Sequence, residues 1–197
     1  MENNDIDKIL EPIYKVFLTN NFVSVSRPKL EIASGLPHGE LFSTYKSKDA
    51  IFAMVVDRYI LDFLSLNMST TNDITLKDYI NSFLNRLTTR VHNMRLLGIK
   101  NVHCGFFNLM YEAEKYYPDF EQKISLLFKN HLERWTVIVD KALLTGEIES
   151  KREAKDIAQH FHYLFMGMIF EQSLYKGIDI DQLRMAYDEY YESMVKE

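Results

Sequence analysis

The side chains of this sequence best equipped for chemistry are five scattered imidazole and thiol groups and one cluster of cations. His103 and Cys104 are adjacent, whereas His131, His160 and His162 stand apart from them. A soft metal site needs ligands that converge at short spacing, and helix positions two apart point to different sides, so His160 and His162 do not act as a pair. No metal site is expected, and the histidines read as packed or pocket-lining groups. Glu112 and Glu114 also fall on different helix faces and read as solvated. The chain has no Gly-rich phosphate loop, no Gly-x-Ser-x-Gly elbow and no His-Glu-x-x-His. No catalytic residue and no cofactor are therefore assigned, and the chain is not read as an enzyme. The cations Arg27, Lys29, Lys46 and Lys48 flank a short segment carrying His38, Gly39, Ser43 and Thr44. Those residue types suit phosphate pairing and hydrogen bonding to base edges rather than bond-breaking.

The elements that position these residues lie between 24 and 49. Ser26 is suited to cap a helix, and Pro28 falls in the first turn, where a missing N–H costs nothing. Leu30 and Ala33 face a core, and Gly35 supplies the positive φ of a sharp helix-to-helix turn. Pro37 is expected to restart a second helix whose apolar residues are Leu41, Phe42 and Tyr45, and Lys48 leads into a long apolar helix. A compact helix-turn-helix places its second helix in a DNA major groove.

These residues carry a family resemblance. Over residues 9–51 the sequence resembles, without a gap, the N-terminal domain of TetR-family transcription regulators. The family's first helix runs I-L-x-A-A-x-x-L-F against ILEPIYKVF here. Its second and third run I-A-x-x-A-G-V-S-x-G-x-L-Y-x-Y-F-x-S-K-E against LEIASGLPHGELFSTYKSKD. Gly35, Gly39, Leu41, Phe42, Tyr45, Ser47 and Lys48 keep the register. Pro12 and Ile13 replace two alanines, Glu31 a small residue, Glu40 a threonine, Phe42 a phosphate-touching tyrosine and Thr44 a second tyrosine. The resemblance implies a DNA-contacting set of Ser26, Arg27, Lys29, His38, Gly39, Glu40, Phe42, Ser43, Thr44, Lys46 and Lys48, with Lys48 on a phosphate.

The rest of the chain reads as helix. Four prolines and seven glycines in 197 residues leave long uninterrupted segments, and no strand alternation persists. Helices are expected at about 5–18, 48–66, 75–98, 102–115, 118–146, 150–177 and 180–195, with a loop at 67–73 that absorbs the Asn67-Met68-Ser69 sequon. Thr75 and Asp78 look like a capping pair, and Ser150 and Glu153 like a capping box. The fold class is all-α, about nine helices. An N-terminal helix-turn-helix domain spans 1–48, and a helical ligand-binding and dimerisation domain spans 49–197. TetR-family bodies enclose an inducer cavity, which assigns a ligand wall of Phe83, Leu87, His103, Phe106, Phe107, Met110, Phe128, His131, Trp135, Phe161 and Phe165. The run FHYLFMGMIF lacks a polar stripe, so residues 161–170 are expected to pack on a two-fold mate. The interface set is His160, Tyr163, Leu164, Gly167, Met168, Tyr187, Tyr191 and Met194.

Net charge is −5, so no global basic field captures nucleic acid. Within the first fifty residues the six cations Lys8, Lys15, Arg27, Lys29, Lys46 and Lys48 meet the seven acids Glu2, Asp5, Asp7, Glu11, Glu31, Glu40 and Asp49. A single cysteine excludes an internal disulfide. No apolar run reaches membrane-span length, and the start MENNDIDK is unlike a secretory signal, so a cytoplasmic location and no membrane partner are expected. The TetR-family resemblance implies a homodimeric, ligand-responsive DNA-binding regulator, most simply a repressor. Its partners would be a double-stranded operator and a small apolar or amphipathic effector. The alternative is a TetR-like all-α dimer that senses a ligand or contacts protein without specific DNA binding.

Overall fold

Helix propensity and apolar periodicity dominate the chain, and the described structure is built from helices alone. The computed structural model describes residues 3–65 and 74–195, with no strand among them. The loop expected at 67–73, with its sequon, lies outside the described residues. The helices are α1 (Asn3–Thr19), α2 (Arg27–Ser34), α3 (Glu40–Tyr45) and α4 (Lys48–Val56). A π-helical turn at Asp57–Leu61 and a last turn at Asp62–Leu64 carry α4 onward. Then follow α5 (Leu76–Leu96), α6 (Val102–Tyr116), α7 (Phe120–Thr145), α8 (Ala154–Ser173) and α9 (Ile180–Glu192). No helix among the described residues is long and apolar enough to cross a membrane.

Several starts match their expected caps. Ser26 Oγ accepts the Lys29 amide and Thr75 Oγ1 that of Asp78, and Ser47, not read as a cap from the sequence, accepts the Ala50 amide. Three starts are shifted, each for a local reason. Gly39, at φ 80°, holds the chain out of helix, so α3 begins at Glu40 and not Pro37. Asp119, at φ 59°, does the same before α7, which starts at Phe120 and not Pro118. The expected capping box at Ser150 is not formed. Ser150 Oγ accepts the Arg152 amide two residues on, closing a turn, and α8 opens at Ala154 after Glu153.

The chain forms two compact units, Met1–Leu66 with Val102–Leu127, and Asn67–Asn101 with Phe128–Glu197. The first is larger than the 1–48 segment. Three short helices bury too little surface to hold themselves, and here α4 and α6 share their core. Leu10, Ile13, Phe17 and Leu18 of α1, Leu30 of α2, Leu41 of α3, and Ile51, Phe52 and Val55 of α4 are all buried. Phe52 meets Phe17 and Phe22 edge-on, at centroid separations of 5.1 and 4.8 Å. Pro12 sits inside α1, where it removes one backbone donor. The packed neighbours Leu10, Ile13 and Tyr14 carry the helix through it. Arg58 grips Asp7 with two parallel hydrogen bonds of 2.9 and 2.7 Å, tying the start of α1 to the π turn. Gly105 of α6 lies against the end of α1 so closely that a Cβ there would stand 2.5 Å from the Leu18 carbonyl oxygen.

The second unit centres on α5, the later part of α7, α8 and α9. Phe83, Trp135, Phe161 and Leu183 are completely shielded from solvent, and Tyr187 nearly so. The Glu147 carboxylate, just past α7, accepts the Leu76 and Lys77 amides and so caps α5 from a distance. Tyr191 of α9 donates its hydroxyl to the same carboxylate.

Candidate nucleic-acid interface and effector core

In the first unit, inward residues of α2 and α3 anchor a polar outer face. Leu41 and Phe42 point into the core, which leaves Glu40, Ser43 and Thr44 exposed on the other side of α3. Before α3, Gly35 turns the chain at φ 68°, and Gly39 gives the close, side-chain-free entry to the helix. His38 projects fully into solvent, with Nδ1 3.0 Å from a Glu31 carboxylate oxygen. Donating from Nδ1 to that carboxylate fixes the ring and leaves Nε2 facing outward. Glu31, which the sequence presents only as a misplaced acid, is therefore the orienter of His38. Its pairing across the turn has no sequence signal, since it depends on where Gly35 sends the chain.

The cations divide into two groups. Arg27, Lys29 and Lys46 are exposed at the ends of α2 and α3. Arg27 stacks over the Phe42 ring at 4.0 Å, Lys29 donates to Asn20 Oδ1, and Lys46 donates to the Ser43 carbonyl. Lys48 faces inward instead. Its ammonium donates to the carbonyls of Phe22 and Val25, at 2.9 and 3.1 Å, and lies 4.2 Å from the Phe22 ring centroid. Two of its three protons are thus used inside the unit, fastening the 3₁₀ turn Phe22–Ser24 to the start of α4. Phe42 needs a correction. Its ring is buried, so it belongs to the core and not to the outer contact set, as expected for a side chain with no polar tip. Lys46 also carries strain, with φ 68° and ψ −49° in a γ-turn closed by the Ser47 amide on the Tyr45 carbonyl.

The expected ligand wall falls into two sets. His103, Phe106, Phe107 and Met110 lie on α6 in the first unit, where Phe106 meets Phe107 edge-on. Phe83, Leu87, Phe128, His131, Trp135, Phe161 and Phe165 lie in the second unit. There Phe83 is the hub, 5.4 to 5.9 Å from Phe165, Trp135 and His131. Trp135 stacks on Phe161 at 5.1 Å, and His162 stands 5.5 Å from His131 and 5.8 Å from Phe128. The core is polar in places. Trp135 Nε1 and His162 Nδ1 are buried with no hydrogen-bond partner among the described residues. Each such atom costs about 1–3 kcal/mol. Burial, with lesser repulsion from His162 and Arg134, pushes His131 down to about 4, so it stays neutral. Burial lowers His162 as well. His162 and Tyr79, which meets Trp135 edge-on at 4.8 Å, escaped the sequence assignment of this wall. The helical stripe through Tyr79 and Phe83 was the signal that could have found the tyrosine. No group of three or more His, Cys, Asp or Glu side chains among the described residues is arranged to hold a metal ion.

The expected partner-facing set divides too. Tyr187, Tyr191 and Met194 are buried in their own unit, a correction to their assignment. Tyr187 is nearly inaccessible and donates to the Phe161 carbonyl, because a large ring with a satisfied hydroxyl is well accommodated inside. His160, Tyr163 and Gly167 are exposed, and Leu164 and Met168 half-buried. With Phe170 and Leu174, Tyr163 and Gly167 form a stripe at helical spacing along α8, and Tyr163 is 63% exposed.

No family model matches the sequence, and no curated protein does. Solved structures do. A TetR/AcrR-family member is 20% identical, with a TM-score of 0.67 over 94% of this chain and 98% of its own. NalD, the secondary repressor of the MexAB-OprM multidrug efflux pump in Pseudomonas aeruginosa, is 14% identical, with a TM-score of 0.64 over 98% and 97%. Reduced NemR of E. coli is 12% identical, with a TM-score of 0.65 over 98% of each chain. The chain has the TetR/AcrR-regulator fold. In that TetR-like frame, α2 and α3 are the helix-turn-helix, and the resemblance read over residues 9–51 coincides with the part of the first unit that carries them.

Proposed function

We propose that this TetR-like chain is a homodimeric DNA-binding transcription regulator, a repressor released by a small effector. The observation that carries the reading is the outer face of α3 with the turn before it, where Ser43, Thr44 and the preceding His38 stand exposed over a core-anchored helix flanked by Arg27, Lys29 and Lys46. These residues supply donors and acceptors for base edges, with cations for phosphate on either side. NalD, similar in fold, is a repressor, and that role is carried to this chain as part of the proposal. The effector is read from the second unit as flat and largely apolar, with a hydrogen-bond acceptor for Trp135 Nε1–H and a polar atom for His162. The exposed α8 stripe through Tyr163, Gly167 and Phe170 is the proposed two-fold contact, since a monomer would leave it as an apolar patch. Selection of bound fragments from random genomic DNA tests the reading. Enrichment of one palindromic site supports it, and recovery of unenriched fragments removes it.

A second reading keeps the dimer and the effector but not specific DNA binding. It is favoured by the acid excess in the first fifty residues and by the internal commitment of Lys48 and Phe42. Salt-independent or undetectable duplex binding would establish it.

A further inference from the structure

The second unit contains a cleft unrelated to the aromatic core. It lies between the C-terminal half of α5, the connection from α8 to α9 and the first turn of α9, and its volume is about 600 Å³. That is the size of a small-molecule site. Its walls are polar, with Arg95 and His92 from α5, Lys176 and Asp179 from the connection, and Arg184 from α9. Two features distinguish it from an ordinary solvated surface.

The first is a small excess of positive charge held in place. Arg95 donates to the Ile178 carbonyl at 2.8 Å, and Arg184 donates to the side-chain oxygens of Asn81 and Asn85 at 3.3 and 3.0 Å. Both guanidinium groups are thus oriented by neutral oxygens, and neither has a carboxylate within salt-bridge distance among the described residues. A guanidinium has five N–H donors, so each keeps donors to spare. Two acids also line the cleft: Asp179 accepts the Gln182 amide and pairs with Lys176, and Asp181 is exposed at the start of α9, so Arg95, Lys176 and Arg184 outnumber the carboxylates by one.

The second feature is a braced wall. Gln172 is buried, and its side chain accepts the Asp179 amide at 2.6 Å while donating to Gln182 at 2.8 Å. Its backbone carbonyl accepts the Gly177 amide at 2.7 Å. The connection is therefore pinned to α8 and α9 before any ligand arrives, which lowers the entropic cost of binding.

We propose that this cleft binds a small organic oxyanion, a carboxylate or a phosphate ester, gripped between Arg95 of α5 and Arg184 of α9. Guanidinium forks match the planar geometry of both groups. Thr88 and His92, about two turns and one turn before Arg95 on the same α5 stripe, supply further hydrogen bonds to the ligand body, Thr88 as an acceptor because its hydroxyl donates to the Leu84 carbonyl. The site is separate in chemistry from the apolar effector core, so the protein would take two kinds of small molecule.

Titration calorimetry and thermal shift on the full chain test this, with citrate, glucose 6-phosphate and inorganic phosphate as probes, and glucose as the neutral control at matched ionic strength. The expected result is saturable binding of citrate or glucose 6-phosphate, with a rise in melting temperature, and none by glucose. A citrate preference assigns a carboxylate ligand and a glucose 6-phosphate preference a phosphate ester. Arg95→Gln and Arg184→Gln should each weaken the better probe about tenfold or more. Thr88→Trp, at an exposed position, should block the cleft without removing charge. Lys129→Gln, on an exposed lysine of α7, should change nothing. Failure of all three anions to bind saturably, or binding that Arg95→Gln, Arg184→Gln and Thr88→Trp leave unchanged, would overturn the proposal.

Discussion

Gly105→Ala separates packing from helix propensity, because the two act in opposite directions at this residue. Alanine in a helix interior is favoured over glycine by about 1 kcal/mol, so propensity alone predicts a more stable protein. The structure predicts the reverse. A Cβ at position 105 would lie 2.5 Å from the Leu18 carbonyl oxygen and 3.3 Å from the Leu18 carbonyl carbon and Cβ. The closest atom is backbone, so no rotamer change relieves the clash, and α6 must move away from α1 by roughly 1 Å to regain ordinary contact. Overpacking of this kind costs about 1–3 kcal/mol, and a backbone clash belongs at the upper end. Net destabilisation of about 2 kcal/mol lowers the melting temperature by roughly 4–8 °C for a chain of this size. Differential scanning calorimetry of the wild type and the variant measures it. A melting temperature raised by a few degrees would mean that α6 and α1 do not approach as described.

Three further perturbations have definite expected outcomes. Lys48→Ala removes two charged hydrogen bonds to the Phe22 and Val25 carbonyls, so urea midpoints should report a loss of about 1–3 kcal/mol, together with weaker DNA binding; normal stability with weakened binding would show that Lys48 faces the duplex instead. His131 has its folded value near 4 and its unfolded value near 6.5, so the unfolded chain binds the proton more readily: its stabilising effect is complete above pH 6.5 and is lost as pH falls toward 4, by about 2 kcal/mol at pH 5. His131→Leu should flatten that part of the stability–pH curve, and an unchanged slope would count against the buried neutral imidazole. A Cβ at Gly167 would meet nothing within 4 Å among the described residues, so Gly167→Leu should leave the monomer folded by circular dichroism yet shift sedimentation toward monomer; an undisturbed dimer would move the interface elsewhere.

What the sequence revealed depended on how local the signal was. The helix-turn-helix was legible because its turn glycines, caps and inward apolar residues all lie within about twenty-five residues and report on one another. Thr75 and Asp78 were read as a cap for the same reason. The outer half of each such inference was harder. Phe42 and Leu41 are adjacent, and both turn inward because α3 begins at Glu40, a start set by the backbone of Gly39 rather than by Pro37. Lys48 was legible as a cation but not as an internal donor, since its acceptors are 23 and 26 residues away. The long-range cap of α5 by Glu147 and the cleft between Arg95 and Arg184 likewise join residues about 70 to 90 apart, beyond any periodic pattern. On α8 the apolar run was visible, but periodicity could not say which face a partner would take. The exposure of Tyr163, Gly167, Phe170 and Leu174 marks the face that its own unit leaves uncovered.

The central claim, that the exposed face of α3 and its flanking cations dock on duplex DNA, is tested most directly by the salt dependence of binding to a selected genomic fragment. In the proposed docking the exposed Arg27, Lys29 and Lys46 of each head would meet phosphate, which would make six contacts for a dimer. The plot of log Kobs against log salt should then have a slope of about −5. His38→Ala should relax the base preference without changing that slope. A slope near zero, or no saturable binding at about 50 mM salt, would contradict the account and leave an all-α sensor that does not read DNA.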